Sequence, residues 1–220
     1  MRVIEPDFDR RIDLPGVGPC PRPVDIDQSV TGFSDLVSLR IYDFAEGATI
    51  NGEAEGDEVL IVLLAGAVDI GVTGPHEADF RLEADGDWAI YLPPDHHYAL
   101  TPIVPAMVAY ARARPSVATA PRAFGPEEGT LVVDGTAERL RLRLSAPEGE
   151  ADASFGLDES LERLVHVNAP GRLLHAGQGV TLGAMDTIVL APGERALLSL
   201  GLNESTGGEV LAVAALSPRS

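Results

Sequence analysis

The chain lacks lysine altogether, has a single cysteine and is poor in aromatic residues. All 16 basic side chains among its 220 residues are arginine, and Phe, Trp and Tyr together make up 5%. One cysteine, Cys20, excludes an internal disulfide and the cysteine-rich ligand set of a structural zinc site. Cys20 lies in the proline-rich segment GVGPCPRP, where we do not expect a catalytic thiol.

Long apolar runs are also missing. No segment approaches the ~20 apolar residues that cross a bilayer. The N-terminal stretch MRVIEPDFDRRIDLPG carries charge where a signal peptide needs an apolar core. We therefore expect a soluble, cytoplasmic protein with no membrane partner. Its 34 acidic residues give a formal net charge of −18, which repels phosphate backbones and makes nucleic acid a poor partner.

Short runs rich in Val, Ile, Leu and Tyr, separated by Gly, Pro and Asp, fill the chain from Leu36 to Arg114. This pattern is typical of an all-β sandwich or barrel. It predicts strands at Leu36–Phe44, Glu58–Leu64, Val68–Val72, Trp88–Leu92, His97–Thr101 and Met107–Arg112. The run EVLIVLL has no polar alternation, so we expect it to be covered on both faces. DESLERL, from Asp158, could form one helical turn or lead straight into a strand.

An internal repeat divides the chain into two units. EVLIVLLAGAVDIGV and RLEADGDWAIYLPPDHHYAL in the first correspond to RLVHVNAPGRLLHAG and GVTLGAMDTIVLAPGERALL in the second. Placing Gly66 on Gly171 matches Glu58 with Arg163. We predict an all-β protein with little helix, divided into an N-terminal arm (1–29), a first barrel (30–115), a linker (116–128) and a second, degenerate barrel (129–220).

Three phrases, EVLIVLLAG, GDWAIYLPPDHHYAL and GAMDTIVLAPGERALL, resemble the cupin superfamily, and more narrowly a bicupin. The resemblance implies two tandem jelly-roll barrels of the double-stranded β-helix type. Over about Val37–Pro115 the first half is similar to 5-deoxyglucuronate isomerase of the KduI/IolB type. The pieces that carry this narrower resemblance are Glu58–Gly66, Tyr91–Pro94 and Met107–Pro115.

The metal motif of the cupins is altered in this sequence. Metal-binding cupins present two histidines two residues apart and then a glutamate, all before the first glycine turn. In the segment ATINGEAEGDEV, alignment through Gly47 puts Glu53 and Glu55 at the paired histidine positions and Glu58 near the glutamate. Glu55 and Glu58 are also the candidate catalytic carboxylates. Carboxylates with one imidazole suit a hard or borderline divalent ion.

The third histidine of the cupin motif falls on His96, His97 or Tyr98. Adjacent residues of a strand point to opposite faces, so only one of His96 and His97 can point into the barrel. The resemblance therefore implies either no cofactor or one divalent metal in the first barrel. The candidate metal ligands are Glu53, Glu55, Glu58 and His97.

Other polar and aromatic side chains are candidate ligand-binding residues. In the first barrel they are Trp88 and Tyr98, together with His96 and His97. In the second, His166 and Asn168 alternate on RLVHVNA and so share one face. A polar pair in a barrel lumen could bind a ligand, or could satisfy its own hydrogen bonds. We find no three converging metal ligands in the second barrel.

Two functions compete. The first is a bicupin that lacks the standard metal site and binds a sugar-type or organic-acid ligand in its lumen. The alternative is a metal-assisted sugar or uronate isomerase, which needs a Lewis acid to polarise a carbonyl and a base near neutral pH. A structural relic that only packs and dimerises is a third possibility. The expected partners are a small molecule and a second copy of the chain in a homodimer.

Overall fold

The structure, a computed structural model, describes residues 1–114, 120–125, 131–133, 139–145, 150–153, 157–200 and 210–215. Within them the chain is almost entirely β, and no helix there is long and apolar enough to cross a membrane. The elements are β1 (Arg2–Ile4), β2 (Arg11–Leu14), β3 (Gly18–Pro21), β4 (Val24–Asp27), α1 (Gln28–Thr31), β5 (Leu36–Phe44), β6 (Ile50–Glu53), β7 (Glu58–Thr73), β8 (Ala78–Glu83), β9 (Ala89–Leu92), β10 (His97–Ala113), β11 (Arg122–Phe124), β12 (Leu131–Val133), β13 (Leu140–Ser145), β14 (Glu150–Asp152), β15 (Glu162–Val167), β16 (Gly171–His175), β17 (Gln178–Leu182), β18 (Thr187–Leu190), β19 (Leu197–Leu200) and β20 (Val210–Ala215).

Two long strands, β7 and β10, organise the first barrel. They pair antiparallel along their whole length, with register shifts between Pro102 and Val108 that mark bulges. Gly66 lies at this bend, where an added Cβ would come within 2.3 Å of the carbonyl oxygen of Pro105. The first half of β7 and the second half of β10 lie in a six-stranded layer of order β11-β9-β7-β10-β5-β4. The second half of β7 pairs with β8, and the first half of β10 pairs with β6. The bend folds the two layers over an apolar core, which lines the lumen of the first barrel.

The second barrel repeats this arrangement. A six-stranded sheet of order β1-β18-β15-β20-β13-β12 faces a four-stranded sheet of order β14-β19-β16-β17. Between them lies a separate core that contains Val165, Leu173, Ile188 and Leu198. Strands β18, β15, β20 and β13 occupy the places that β9, β7, β10 and β5 occupy in the first barrel. The predicted all-β fold of two tandem barrels is confirmed.

The predicted domain boundaries cross several strand pairings. Within residues 1–29, β1 joins the second barrel, the β2–β3 hairpin packs on the first, and β4 extends the sheet of the first. Of the predicted linker at 116–128, the described residues 120–125 include β11, which pairs with β9. The rest of that linker lies outside the described residues, and the boundaries stay a prediction. The segment from Asp158 forms a turn that leads into β15.

The two six-stranded layers pack against each other on a third apolar core, which we call the barrel contact. Strand alternation sends Leu60 and Val62 to this contact, whereas Val59 and Ile61 face the lumen of the first barrel. EVLIVLL is therefore buried on both faces, as predicted. Each such Leu, Ile or Val stabilises the fold by ~1.5–3 kcal/mol relative to an exposed side chain.

Two carboxylates join the barrels at the ends of this contact. Glu58, at the start of β7, accepts hydrogen bonds from the backbone amides of Arg139 at 2.9 Å and Leu140 at 2.6 Å in the second barrel. Glu162, at the start of β15, accepts from the amides of residues 34–36 in the first, at 2.6–2.9 Å. Because β7 and β15 are equivalent strands, the two clamps are reciprocal. Burial raises the pKa of Glu58, and its amide donors oppose that rise.

Replacing Glu58 by Ala should lower the free energy of unfolding by about 2–4 kcal/mol, because two buried amides lose their acceptor. Glu58→Gln should cost less, since its amide oxygen can still accept. Urea denaturation measures both. Glu77→Ala, at an exposed turn, is the control and should change stability little. A Glu58→Ala protein as stable as this control would contradict the clamp.

Candidate functional site

A cavity of about 210 Å³ opens into the first barrel where β5, β6 and β10 meet. Three of the chain's four tyrosines line it, in a protein with few aromatic residues. The lining residues with polar or aromatic groups are Ser38, Arg40, Tyr42 and Phe44 from β5, Asn51 and Glu53 from β6, Glu55 from the turn that follows, and Tyr98, Tyr110 and Arg112 from β10. The carboxylate of Glu53 itself points outward to His97. This cavity is the candidate site.

Strand register gathers these polar groups on one face. β5 and β10 are antiparallel, with Ser38 opposite Arg112 and Arg40 opposite Tyr110. Residues directly opposite each other share a face of the sheet. The intervening Leu39 points instead to the barrel contact. Two cross-strand residue pairs of β5 and β10 thus bring two hydroxyls and two guanidinium groups to the cavity.

Arg112 is anchored to the turn at the rim of the cavity. Its Nη2 donates to the carbonyl oxygens of Glu53 at 3.0 Å and Ala54 at 2.5 Å. The carboxylate of Asp57 lies 3.5 Å from Nε, and that of Glu55 lies 3.9 Å from Nη2. Burial raises the pKa of Asp57, whereas the Arg112 guanidinium lowers it. The guanidinium therefore has a fixed position while it lines the cavity.

Buried hydroxyls in the cavity lack hydrogen-bond partners within the described part of the chain. Ser38 is 2% exposed and Tyr110 is 6% exposed, yet neither Ser38 Oγ nor Tyr110 Oη makes a hydrogen bond of good geometry there. The Tyr98 hydroxyl is the nearest group to Tyr110, and burial raises the pKa of Tyr98 to about 12, so it stays protonated at neutral pH. An unpaired buried hydroxyl costs ~1–3 kcal/mol. Such groups call for a bound molecule or ordered water that completes them.

The structure does not bring the four predicted metal ligands together. Glu58 points to the barrel contact, where it binds the second barrel. Glu53 and His97 lie 3.4 Å apart on the exposed side of their strands, and Glu55 lies on the turn beside Arg112. In the described residues no group of three or more His, Cys, Asp and Glu could hold a metal ion. The four residues do not converge in this structure, because strand alternation separates Glu53 and His97 from the lumen. The metal set stays a prediction that this geometry does not support.

The lumen-facing positions next to the cavity also lack metal-binding donors of the predicted kind. On β6 and the following turn the inward residues are Ile50, Gly52 and Ala54. Gly52 accommodates the ring of Tyr98, because an added Cβ would lie 2.3 Å from that ring. Neither imidazole nor carboxylate projects inward at these three positions. This donor set does not fit the divalent metal that the cupin resemblance implies.

Neither histidine of the LPPDHHYAL stretch faces the lumen. His96 is buried in the turn before β10, where its Nε2 accepts from the His76 amide at 3.2 Å and its Nδ1 lies 2.9 Å from the carbonyl oxygen of Pro94. Its ring also stacks on that of His76. His96 therefore ties two turns together, and His97 is exposed on the outer face.

Trp88, a predicted ligand-binding residue, lies on the side of the barrel contact. Its ring packs against that core, and Nε1 donates to the carbonyl oxygen of Ala84 at 2.8 Å. Tyr91 also faces the contact, with its hydroxyl 3.5 Å from Glu58. Of the predicted ligand-binding residues, Tyr98 lines the cavity of the first barrel.

In the second barrel, His166 and Asn168 do not form a polar pair in the lumen. Val165 and Val167 face that lumen, so His166 points the other way, with Nδ1 3.1 Å from Thr187 Oγ1. Asn168 is exposed beyond the end of β15. The repeat alignment from the sequence was one residue out: cross-strand partners equate Glu58 with Glu162 rather than with Arg163. A shift of one residue reverses the face of every side chain.

The sequence did contain a signal for the residues it missed. Ser38, Arg40 and Tyr42 alternate with apolar residues on LVSLRIYDF, and Tyr110 and Arg112 alternate with alanine on MVAYARA. Polar or amphipathic side chains at every second position of buried strands indicate a lumen that is not purely apolar. A metal-ligand pattern of histidines and acids does not include them.

His166 should make stability depend on pH. Burial lowers its pKa to about 3, whereas the unfolded chain takes up a proton near pH ~6.5. The folded protein binds fewer protons between these values, so its stability is complete above pH ~6.5 and falls with decreasing pH, by up to ~1.4 kcal/mol per pH unit. Against the neutral variant His166→Gln, the parent's advantage in the free energy of unfolding should shrink between pH 7 and pH 5. An advantage that does not change over this range would contradict the assignment.

Comparisons with known proteins agree with this architecture. The model of the KduI/IolB family matches residues 22–144, more than half of the chain. Among solved structures, Ylba from E. coli has a TM-score of 0.73 at 11% identity, over 99% of this chain and 91% of that one. An IolB-like protein from Salmonella typhimurium has a TM-score of 0.64 at 13% identity, over 90% and 89%. A cupin 2 conserved barrel domain protein from Leptotrichia buccalis has a TM-score of 0.53 at 12% identity, over 97% and 92%. No sequence among the curated proteins matches.

Proposed function

The chain belongs to the KduI/IolB family and has the cupin fold, and from this premise we propose that it binds a small sugar acid or organic acid in the first barrel, without the standard cupin metal. The observation that carries the proposal is the ladder of β5 and β10. It presents the unpaired hydroxyls of Ser38 and Tyr110 beside the guanidinium groups of Arg40 and Arg112 in one cavity.

Each part of the cavity suits one part of such a ligand. Guanidinium groups bind carboxylates through paired N–H donors in a geometry that lysine cannot offer. Buried hydroxyls complement the hydroxyl or carbonyl oxygens of the ligand body. Tyrosine and phenylalanine rings offer apolar faces to its carbon skeleton. At about 210 Å³, the cavity is smaller than the ~300–1,000 Å³ typical of drug-sized ligands, which favours a compact acid.

Local charge also favours an anion, although the whole chain carries −18. Beside the cavity, the carboxylate of Asp25 meets three guanidinium groups, those of Arg10 at 3.1 Å, Arg22 at 2.8 Å and Arg40 at 3.1 Å. Asp7 also lies 3.7 Å from Arg10, so three guanidinium groups meet two carboxylates here. One positive charge is left over, which makes this rim less repulsive to an anion than the rest of the surface. Arg22 also donates to the Tyr42 hydroxyl at 3.2 Å, which links the cluster to the cavity wall.

A second candidate function is the isomerisation of a sugar acid, because the family match spans all of the lining residues except Leu14. Proton transfer between carbons next to a carbonyl needs a group that polarises the carbonyl and a base. Arg112 and the protonated Tyr98 are the polarising groups in reach of the cavity, and Glu55 is the carboxylate at its rim. Incubation of D-glucuronate with the protein in D₂O, followed by proton NMR, tests this candidate. Loss of the proton next to the carbonyl supports it, and an unchanged spectrum rejects it.

Metal content tests the metal-free part of the proposal. We expect purified protein to contain no transition metal at one ion per chain, because the lumen-facing donors do not suit one. Elemental analysis after dialysis measures this. One tightly held ion per chain would contradict the proposal.

The substitution Tyr110→Phe separates ligand binding from folding. It removes only a hydroxyl whose interaction within the described chain is with the Tyr98 hydroxyl, so the free energy of unfolding should fall by no more than ~1 kcal/mol. Affinity for the acid that binds best should fall by about 2–10-fold, the equivalent of one neutral hydrogen bond. Calorimetric titration with D-glucuronate, D-gluconate and 4-hydroxybenzoate measures the affinity, with D-glucose as the uncharged probe.

Tyr91→Phe is the matched control, since this tyrosine faces the barrel contact, and it should leave the affinity unchanged. The proposal fails if the parent binds none of the acids, or if D-glucose binds as tightly as they do. It also fails if Tyr110→Phe binds every acid as the parent does.

A further inference from the structure

Glu55 has an unusual position among the residues that line the cavity. It is the lining residue other than glycine whose backbone is left-handed, with φ of 54°. Hydrogen bonds hold this backbone in place: the Asp95 amide donates to the Glu55 carbonyl at 2.9 Å, and the neighbouring Ala54 amide donates to the His96 carbonyl at 2.9 Å. Only the side chain, which is 63% exposed, can move. A left-handed non-glycine residue held by its surroundings is typical of a functional position.

The Glu55 carboxylate lies against one edge of the Arg112 guanidinium. The other acceptors of Arg112, the carbonyls of Glu53 and Ala54 and the less exposed carboxylate of Asp57, lie at 2.5–3.5 Å, whereas Glu55 stands at 3.9 Å. An exposed ion pair at this distance contributes little to stability. Glu55 makes only this long ion pair and no hydrogen bond to Arg112, so of the groups around Arg112 it is the one that a ligand displaces most easily.

We propose that Glu55 occupies the place of the ligand's acid group at Arg112, and that an anionic ligand binds by displacing this carboxylate into solvent. The inference rests on the proposed function and deepens it, because it assigns the acid-binding subsite to Arg112 and a competitor to Glu55. Arg112 Nη2 already donates to the carbonyls of Glu53 and Ala54. A ligand carboxylate at this place is therefore held mainly by the charge of the guanidinium, and it can gain a hydrogen bond only from the N–H groups of Nη1. Glu55, already on the rim, keeps its hydration when it swings away, so the exchange costs little.

Because Glu55 competes with the ligand's acid group for Arg112, it also determines which ligands bind. Two carboxylates cannot share one edge of a guanidinium without repulsion. A charged ligand must overcome the Glu55 contact, whereas an uncharged analogue that fills the same cavity leaves that contact intact. Removing the charge of Glu55 should therefore help acids and leave uncharged analogues unaffected.

The test compares Glu55→Gln with the parent and with Glu77→Gln, a matched charge removal at an exposed turn outside the cavity lining. Calorimetric titration uses D-glucuronate and the uncharged D-glucuronamide. Glu55→Gln should bind D-glucuronate about two- to fivefold more tightly, from loss of both the competing contact and the like-charge repulsion. Its affinity for D-glucuronamide should stay as in the parent, and Glu77→Gln should change neither. If the parent binds D-glucuronate and Glu55→Gln binds it no more tightly, the inference falls while the proposed function stands.

A second measurement does not depend on the ligand. Phenylglyoxal modifies accessible guanidinium groups, and peptide mass spectrometry gives the rate at Arg112. Glu55→Gln should raise this rate relative to the parent and to Glu77→Gln, because the edge of Arg112 is uncovered. An unchanged rate overturns the inference even if every acid binds. A raised rate in a protein that binds none of the acids supports the Glu55 contact and rejects the proposed ligand class.

Discussion

Face-to-face packing of the two six-stranded layers is the interaction on which the rest of the structure depends. It buries the second face of each layer, so central strands such as β7, β10, β15 and β20 have one face committed to the barrel contact and the other to a lumen. The carboxylates of Glu58 and Glu162 fix the two barrels at opposite ends of this contact, each on backbone amides of the other barrel. Because β5 and β10 cannot shift by one residue without moving apolar side chains out of the contact, the positions of Arg40 and Arg112 in the cavity are fixed as well.

The same constraint gives the two barrels different roles. The core of the second barrel is apolar, with Val165, Leu198 and Ala212 among its members, and its buried His166 lies on the opposite face. The first barrel keeps polar side chains on its lumen face at one end only, where the β2–β3 hairpin contributes Leu14 to the wall. We therefore regard the second barrel as the support against which the cavity of the first is held.

Much of the fold could be predicted from the sequence, because turn residues and strand periodicity are local signals. Leu36–Phe44 was predicted with its observed bounds, whereas β7 and β10 were each divided in two, since the bulge at Gly66 and Pro102–Val108 interrupts their alternation. The site was harder to predict. Glu58 resembled a catalytic carboxylate because its partners, the amides of Arg139 and Leu140, lie about 80 residues away in sequence. His166 and Asn168 were considered as a lumen pair because they alternate on one strand, and alternation alone does not tell which face of a doubly buried strand is the lumen.

A cavity that relies on guanidinium groups differs in chemistry from a cupin metal centre. A guanidinium group keeps its charge in proteins, whereas histidine ligands must be neutral to hold a metal and release it in acid. Affinity for an acid should therefore vary little with pH as long as the acid stays ionised. A guanidinium delocalises its charge over a plane and polarises a carbonyl less than a metal ion that coordinates the oxygen directly. Strong recognition of a carboxylate with weak activation of a carbonyl favours binding over isomerisation as the main task of this cavity.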